Sequence, residues 1–254
     1  METEFAMRGL LSGADIGIIG GADGPTAVLV ARSAFLWLLP LIALGLLTAV
    51  YLAMRRAARK KRHSVTELPA GYRRIYTVDM RQSRRLLLFL GLAQLLVALA
   101  MLIPACLLVP LSPLFSMERG VFPFLMRFLT LIVGSIGYIL LHELIHAAVM
   151  RIYGAHKIRF GVSGGCAYAG SEQDYFDRFS YMQIALSPLI GLGLCLAVLN
   201  LMVPIEWFWV IYLIQLTNVS GAVGDLFVSV RFSRFPRDIL VKDTGVSMTV
   251  YSKQ

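Results

Sequence analysis

The sequence predicts an all-α, polytopic membrane protein with about five transmembrane helices and a short cytoplasmic β-hairpin. Three observations predict it. Hydrophobic residues make up 57% of the 254 and charged residues only 15%, whereas an ordinary soluble domain is about half apolar. The apolar residues gather into five long runs, at 34–54, 86–109, 122–150, 181–203 and 207–230, each close to the roughly 20 residues that a helix needs to cross a bilayer. The basic residues fall mainly between alternate pairs of these runs. Runs of this kind must be helical, because lipid offers no hydrogen-bond partner to free backbone groups.

Taken in chain order, residues 1–33 are a Gly-rich, weakly apolar leader. Glu2 and Glu4 stand where a basic n-region would be needed, so no cleavable signal peptide is expected and the first long run stays as an anchor. The leader contains GIIGGADGPTAVLV at 17–30. This stretch reads either as a Gly/Pro-rich lead-in or as a broken helix in which Asp23 and freed carbonyls hold an ion. Residues 34–85 supply the first spanning helix and a basic linker. RRAARKKRH, at 55–63, suits anionic lipid head groups. Residues 86–254 form a four-helix membrane unit.

The formal net charge is +9, and 20 of the 24 Lys and Arg lie in 55–85, 151–180 and the tail from Arg231. With five alternating helices, all three segments share one side. The positive-inside rule then places the N-terminus outside and the C-terminus in the cytoplasm of a multi-pass cell-membrane protein. Trp37, Trp207 and Trp209 fall at the outer interface, as an aromatic belt would. The charge is thus a topology signal. The expected partners are the lipid bilayer and a peptide or membrane-protein substrate, with no nucleic acid. Cys106, Cys166 and Cys195 are far apart and form no Cys-x-x-Cys, so neither a disulfide framework nor a thiolate metal site is indicated.

The loop after the third run carries KIRFGV (157–162), SGG and CAYAG (166–170). Two short strands around a Gly turn predict the hairpin. It is either a plain surface hairpin or an exposed strand edge able to pair with an extended peptide.

The chemistry concentrates in LLHELIHAAVM, at 140–150. A helix sets His142 and His146 one turn apart on one face. Both imidazoles can then reach one zinc, and Glu143 can reach a water beside it. The pattern is His-Glu-x-x-His. The competing reading, helix-packing histidines with a paired glutamate, must explain three titratable groups within five residues of a membrane span. Each costs a few kcal/mol there when unpaired. A catalytic zinc takes three protein ligands. His156, Glu172, Asp174, Asp177, Asp243 and Asp225 are the candidates for the third. Depth favours Asp225, since His146 lies five residues before Arg151 and Asp225 six before Arg231. At 1.5 Å per residue both sit roughly 8–9 Å inside the helix ends. Asp243, His156 and Asp174 lie outside the spans, where solvation would remove the need for a metal. Asn218, about two turns before Asp225, is expected on the same side, either holding a substrate carbonyl or orienting Asp225. Gly134, Ser135 and Gly137, like Ser220, Gly221, Ala222 and Gly224, allow close helix approach.

HELIH on a membrane helix, with Asn218 and Gly224-Asp225 on a later one, resembles the intramembrane zinc metalloproteases of the site-2 type. The whole pattern, with SGGCAYAG and Ser187-Pro188 between, is more similar to a family of bacterial membrane zincin peptidases. That resemblance covers about residues 86–250. It implies Zn2+ held by His142, His146 and Asp225, Glu143 as catalytic base, and peptide-bond hydrolysis in or near the membrane. The chain departs from site-2 proteases in having no proline after Asn218 and no Asp-Gly pair. GGADGPT (20–26) is similar to a segment of the beta subunit of sodium-translocating oxaloacetate decarboxylases, which implies a sodium role for Asp23. Three functions are therefore carried forward. The first is a membrane zinc metalloprotease. The alternatives are a fragment or partner of a sodium-translocating decarboxylase and a catalytically inactive membrane scaffold.

Overall fold

The computed structural model describes residues 17–21, 24–28, 48, 64–79, 83–163 and 166–253. Asp23, the basic run 55–63 and, residue 48 apart, the first expected span (34–54) lie outside the described residues. In the leader, β1 (Gly17–Gly21) and β2 (Gly24–Val28) pair antiparallel, Gly17 opposite Val28. The residues flanking Asp23 are thus strands rather than the halves of a broken helix.

Among the described residues, four helices are long and apolar enough to cross a membrane: Arg84–Leu108, Val121–Ile152, Arg178–Met202 and the joined segment Ile205–Ser233. α1 (Arg84–Leu108) starts where the Ser83 hydroxyl accepts the Leu86 N–H at 3.2 Å. It leaves most of its apolar side chains outward, with Leu107 81% exposed, which is sensible only against lipid. A short turn, α2 (Ser112–Phe115), follows. α3 (Val121–Ile152) carries HELIH near its C-terminal end. Its one deeply buried arginine, Arg127, donates from Nε to the Leu114 carbonyl at 3.0 Å and from its guanidinium to the Ser116 carbonyl. Carbonyls that α2 leaves open are thereby satisfied, and the charge is not left unpaired. α4 (Arg178–Met202) is capped by Asp177, whose carboxylate accepts the Ser180 N–H at 2.9 Å. The last span is two helices, α5 (Ile205–Gly221) and α6 (Val223–Ser233), broken at Ala222.

The expected hairpin forms between β5 (Arg159–Ser163) and β6 (Cys166–Gly170), with Phe160 opposite Ala169. The expected all-α class is incomplete. A five-stranded antiparallel sheet closes the helix ends marked by Arg151, Arg178 and Arg231. Its order is β3 (Ser64–Val65), β7 (Tyr175–Asp177), β8 (Leu240–Asp243), β9 (Ser247–Lys253), β4 (Tyr72–Asp79). Three of these strands have two to four residues, too few to show an alternating pattern. β4, reading YRRIYTVD, hides among the basic residues before α1. Its partner is 168 or more residues away, Asp79 facing Ser247 and Tyr72 facing Lys253. The sheet is held by burial: Phe176, Val241, Val250 and Ile239 are fully covered and pack with Met150, Tyr181 and Phe232 from the helix ends.

Candidate metal centre

α3 stacks Tyr138, His142 and His146 on one face, four residues apart each time. α6 brings Asp225 against them. His142 Nε2 lies 3.2 Å from Asp225 Oδ2, His146 Nε2 3.6 Å from Asp225 Oδ1, and the two Nε2 atoms 3.1 Å from each other. All three donors lie within 4.8 Å of one another, the histidines buried and Asp225 half-buried. The three side chains expected at one depth are thus in direct contact.

The donor set can be tested against a cation. The His146 Nδ1–H donates to the Ile184 carbonyl at 2.8 Å. A carbonyl only accepts, so the neutral ring carries its lone pair on Nε2, aimed at His142 and Asp225. His142 Nδ1 meets the Tyr138 hydroxyl at 3.2 Å. His142 Nε2–H could donate to Asp225 in the absence of a metal, whereas a cation among the three would engage both Nε2 lone pairs and the carboxylate together. Zinc bonds of 2.0–2.1 Å in a tetrahedron separate neighbouring donors by about 3.3 Å. The two Nε2 atoms are 3.1 Å apart, and each lies near a different Asp225 oxygen, at 3.2 and 3.6 Å. With one atom from each residue, all three donors stay within 4.8 Å of one another, and two imidazoles and a carboxylate are an ordinary zinc donor set.

Glu143 is half-buried beside the first histidine. Its carboxylate lies close to the backbone N–H of Ala169 on β6 and feels the charge of both histidines and Asp225. β6 packs along α3, so the hairpin lies over the site at the depth of Glu143. Glycines make that seat possible. A Cβ on Gly161 would fall 2.6 Å from the Tyr168 hydroxyl, and one on Gly245, at φ 81°, would strike the same ring. Tyr168 is thus held between the hairpin and the β8–β9 turn. The Ser171 N–H to Asp243 carbonyl bond, 2.7 Å, ties the two together. An open polar cavity of about 570 Å³, lined in part by Tyr168, Glu172, Lys242 and Ser247, flanks this junction and does not reach the three donors.

The other candidates for a third ligand have different partners. Asp177 caps α4, and Glu172 pairs with Arg159 at 2.7 Å on the surface. The expectation that Asp174 and Asp243 are well solvated is corrected: both are buried, at 0% and 5% exposure. They escape isolation through hydrogen bonds. Asp174 accepts the His156 N–H at 3.0 Å, His156 Nδ1–H at 2.7 Å and the Ser171 hydroxyl. Burial pushes its pKa up, but these donors outweigh it and hold the carboxyl below its ordinary value. Asp243 accepts the Tyr181 hydroxyl at 2.8 Å and the Gly245 N–H at 2.7 Å, and burial raises its pKa. Asn218 is fully buried and its amide donates to the Leu189 carbonyl of α4 at 3.4 Å. Among the described residues it makes no hydrogen bond to Asp225.

Two features of the site escaped the sequence reading. Tyr138 was detectable, since it precedes His142 by one helical turn. The Ile184 carbonyl was not, because a backbone acceptor has no signature of residue type. No curated protein and no solved structure matches the chain. A family model described as "putative zincin peptidase" matches residues 135–240, the stretch that holds HELIH, the hairpin, Ser187-Pro188 and Asp225.

Proposed function

We propose that the protein is a membrane-embedded zinc metallopeptidase that hydrolyses peptide bonds at the depth of the HELIH turn. The observation that carries the reading is the convergence of His142, His146 and Asp225 within 4.8 Å of one another, with Glu143 beside them. His142, His146 and Asp225 would hold the metal. Zinc, when bound, lowers the pKa of a water to near 7 and polarises a carbonyl. Glu143 takes the proton of the attacking water and passes it to the leaving amine. The Ala169 N–H keeps the Glu143 carboxylate turned toward the hairpin side. A peptide laid in extended form along β6 would displace Glu143 from the Ala169 N–H, with backbone hydrogen bonds supplying affinity and register. Membrane residence is supported by the four long apolar helices among the described residues. The cytoplasmic placement of the site follows from the positive-inside reading.

The test is metal analysis of the purified protein together with hydrolysis of reconstituted membrane-peptide libraries. The parent should hold one zinc and cleave, and His142→Ala should lose both. Glu143→Gln keeps the shape and every donor, so it should retain zinc while the rate falls by about 10²- to 10⁴-fold. A parent free of zinc ends the proposal. Zinc without hydrolysis in the parent leaves the inactive scaffold as the better reading.

A further inference from the structure

α4 contains a proline in mid-helix. Pro188 is buried and stands four residues after Ile184. In a regular helix the N–H of residue 188 would donate to the carbonyl of residue 184. Proline has no N–H, so that bond cannot form and the Ile184 carbonyl is released from the ladder. The released carbonyl is not idle. It accepts the His146 Nδ1–H at 2.8 Å and the Ser187 hydroxyl at 2.9 Å. A carbonyl oxygen has two lone pairs, and both are used. Ile184 is itself 1% exposed, so water does not compete for this acceptor.

We infer that Pro188 is a positioning residue for the metal centre: by withholding a backbone N–H it reserves the Ile184 carbonyl for His146. That hydrogen bond fixes the ring's orientation and keeps its Nε2 lone pair facing His142 and Asp225. Partners of this kind raise ligand basicity and cost about 10- to 100-fold in metal affinity when lost. Pro188 also explains why a helix-breaking residue is tolerated in a span. The freed acceptor is satisfied by a side chain from the neighbouring helix rather than left bare in lipid. A third donor at Ile184 must displace one of the two already there. The inference rests on the zinc reading above.

The experiment uses the full-length protein in detergent and measures zinc affinity by competition with a chelator, alongside the absorption spectrum of the cobalt-loaded protein. Pro188→Ala restores the N–H and favours the helix. It should weaken zinc binding by about 10- to 100-fold and alter the cobalt spectrum without lowering thermal stability. Replacement of Pro188 by lactic acid, which like proline offers no N–H but lacks the ring, should keep zinc affinity within about twofold of the parent. Unchanged affinity in Pro188→Ala overturns the inference while leaving the zinc proposal intact. Equal loss in the alanine and lactic acid variants also overturns it, because the ring's shape and not the missing donor would then matter. Absence of zinc from the parent refutes the zinc reading itself.

Discussion

Removing Asp225 should abolish zinc-dependent stabilisation, and the size of the effect follows from the geometry. Its two oxygens close two of the three donor separations, 3.2 Å to His142 and 3.6 Å to His146. Asp225→Ala leaves only the 3.1 Å contact between the imidazoles. A carboxylate at this depth costs about 3 kcal/mol when unpaired, and pairing it with a divalent cation returns at least that much. At 1.4 kcal/mol per tenfold, its loss weakens zinc binding by about 100-fold or more. Zinc at 100 times the parent's Kd stabilises the parent by about 2.7 kcal/mol. That is worth about 5–11 °C in Tm for a chain of this length. The same zinc concentration equals roughly the Kd of the variant and adds about 0.4 kcal/mol, or about 1 °C. The assay is thermal unfolding in detergent with and without zinc, checked by metal analysis. Asp243→Asn, His156→Ala and Asp174→Asn serve as comparisons. Each should lower basal stability yet keep the full zinc shift, because their side chains answer to Tyr181, to Ser171 and to one another. A full zinc shift in Asp225→Ala, or its loss in any comparison variant, would refute the assignment of the third donor.

Two further outcomes are expected. Asp174 holds its carboxyl below the ordinary value, so the ionised form is the one the fold stabilises; that contribution is complete above about pH 4 and fades as pH falls through the lower folded value. Asp174→Asn should therefore cost about 1.5–3 kcal/mol at pH 7, with the gap to the parent closing in acid; a gap that widens below pH 4 contradicts the pairing with His156. Topology is checked at Glu67, which is exposed. With Cys106, Cys166 and Cys195 replaced, Glu67→Cys should react with a membrane-impermeant thiol reagent only from the cytoplasmic side, and labelling of intact cells from outside would reverse the orientation.

Single residues show what was legible in the sequence and what was not. The helices were legible because an apolar run in lipid has one solution, internal backbone pairing. His142, His146 and Glu143 were legible because the i, i+4 rule is local and because titratable groups in such a run need a partner. Asp225 followed from the same cost argument at equal depth. The sheet was not legible: Asp79 meets Ser247 at a separation of 168 residues and Ser64 meets Phe176 at 112, and strands of two to four residues carry no periodic signal. The burial of Asp174 and Asp243 was missed because position outside a span says nothing about what the sheet and hairpin cover. The bond from Asn218 to the Leu189 carbonyl of α4 was missed because a backbone acceptor on another helix has no signature of residue type. The sequence by itself determined which side chains could take part in the site, since that depends on chemistry and local spacing. Only the tertiary structure decided which backbone groups hold them, because Ile184 and Ala169 act through a carbonyl and an N–H that every residue possesses, and packing alone sets where those point.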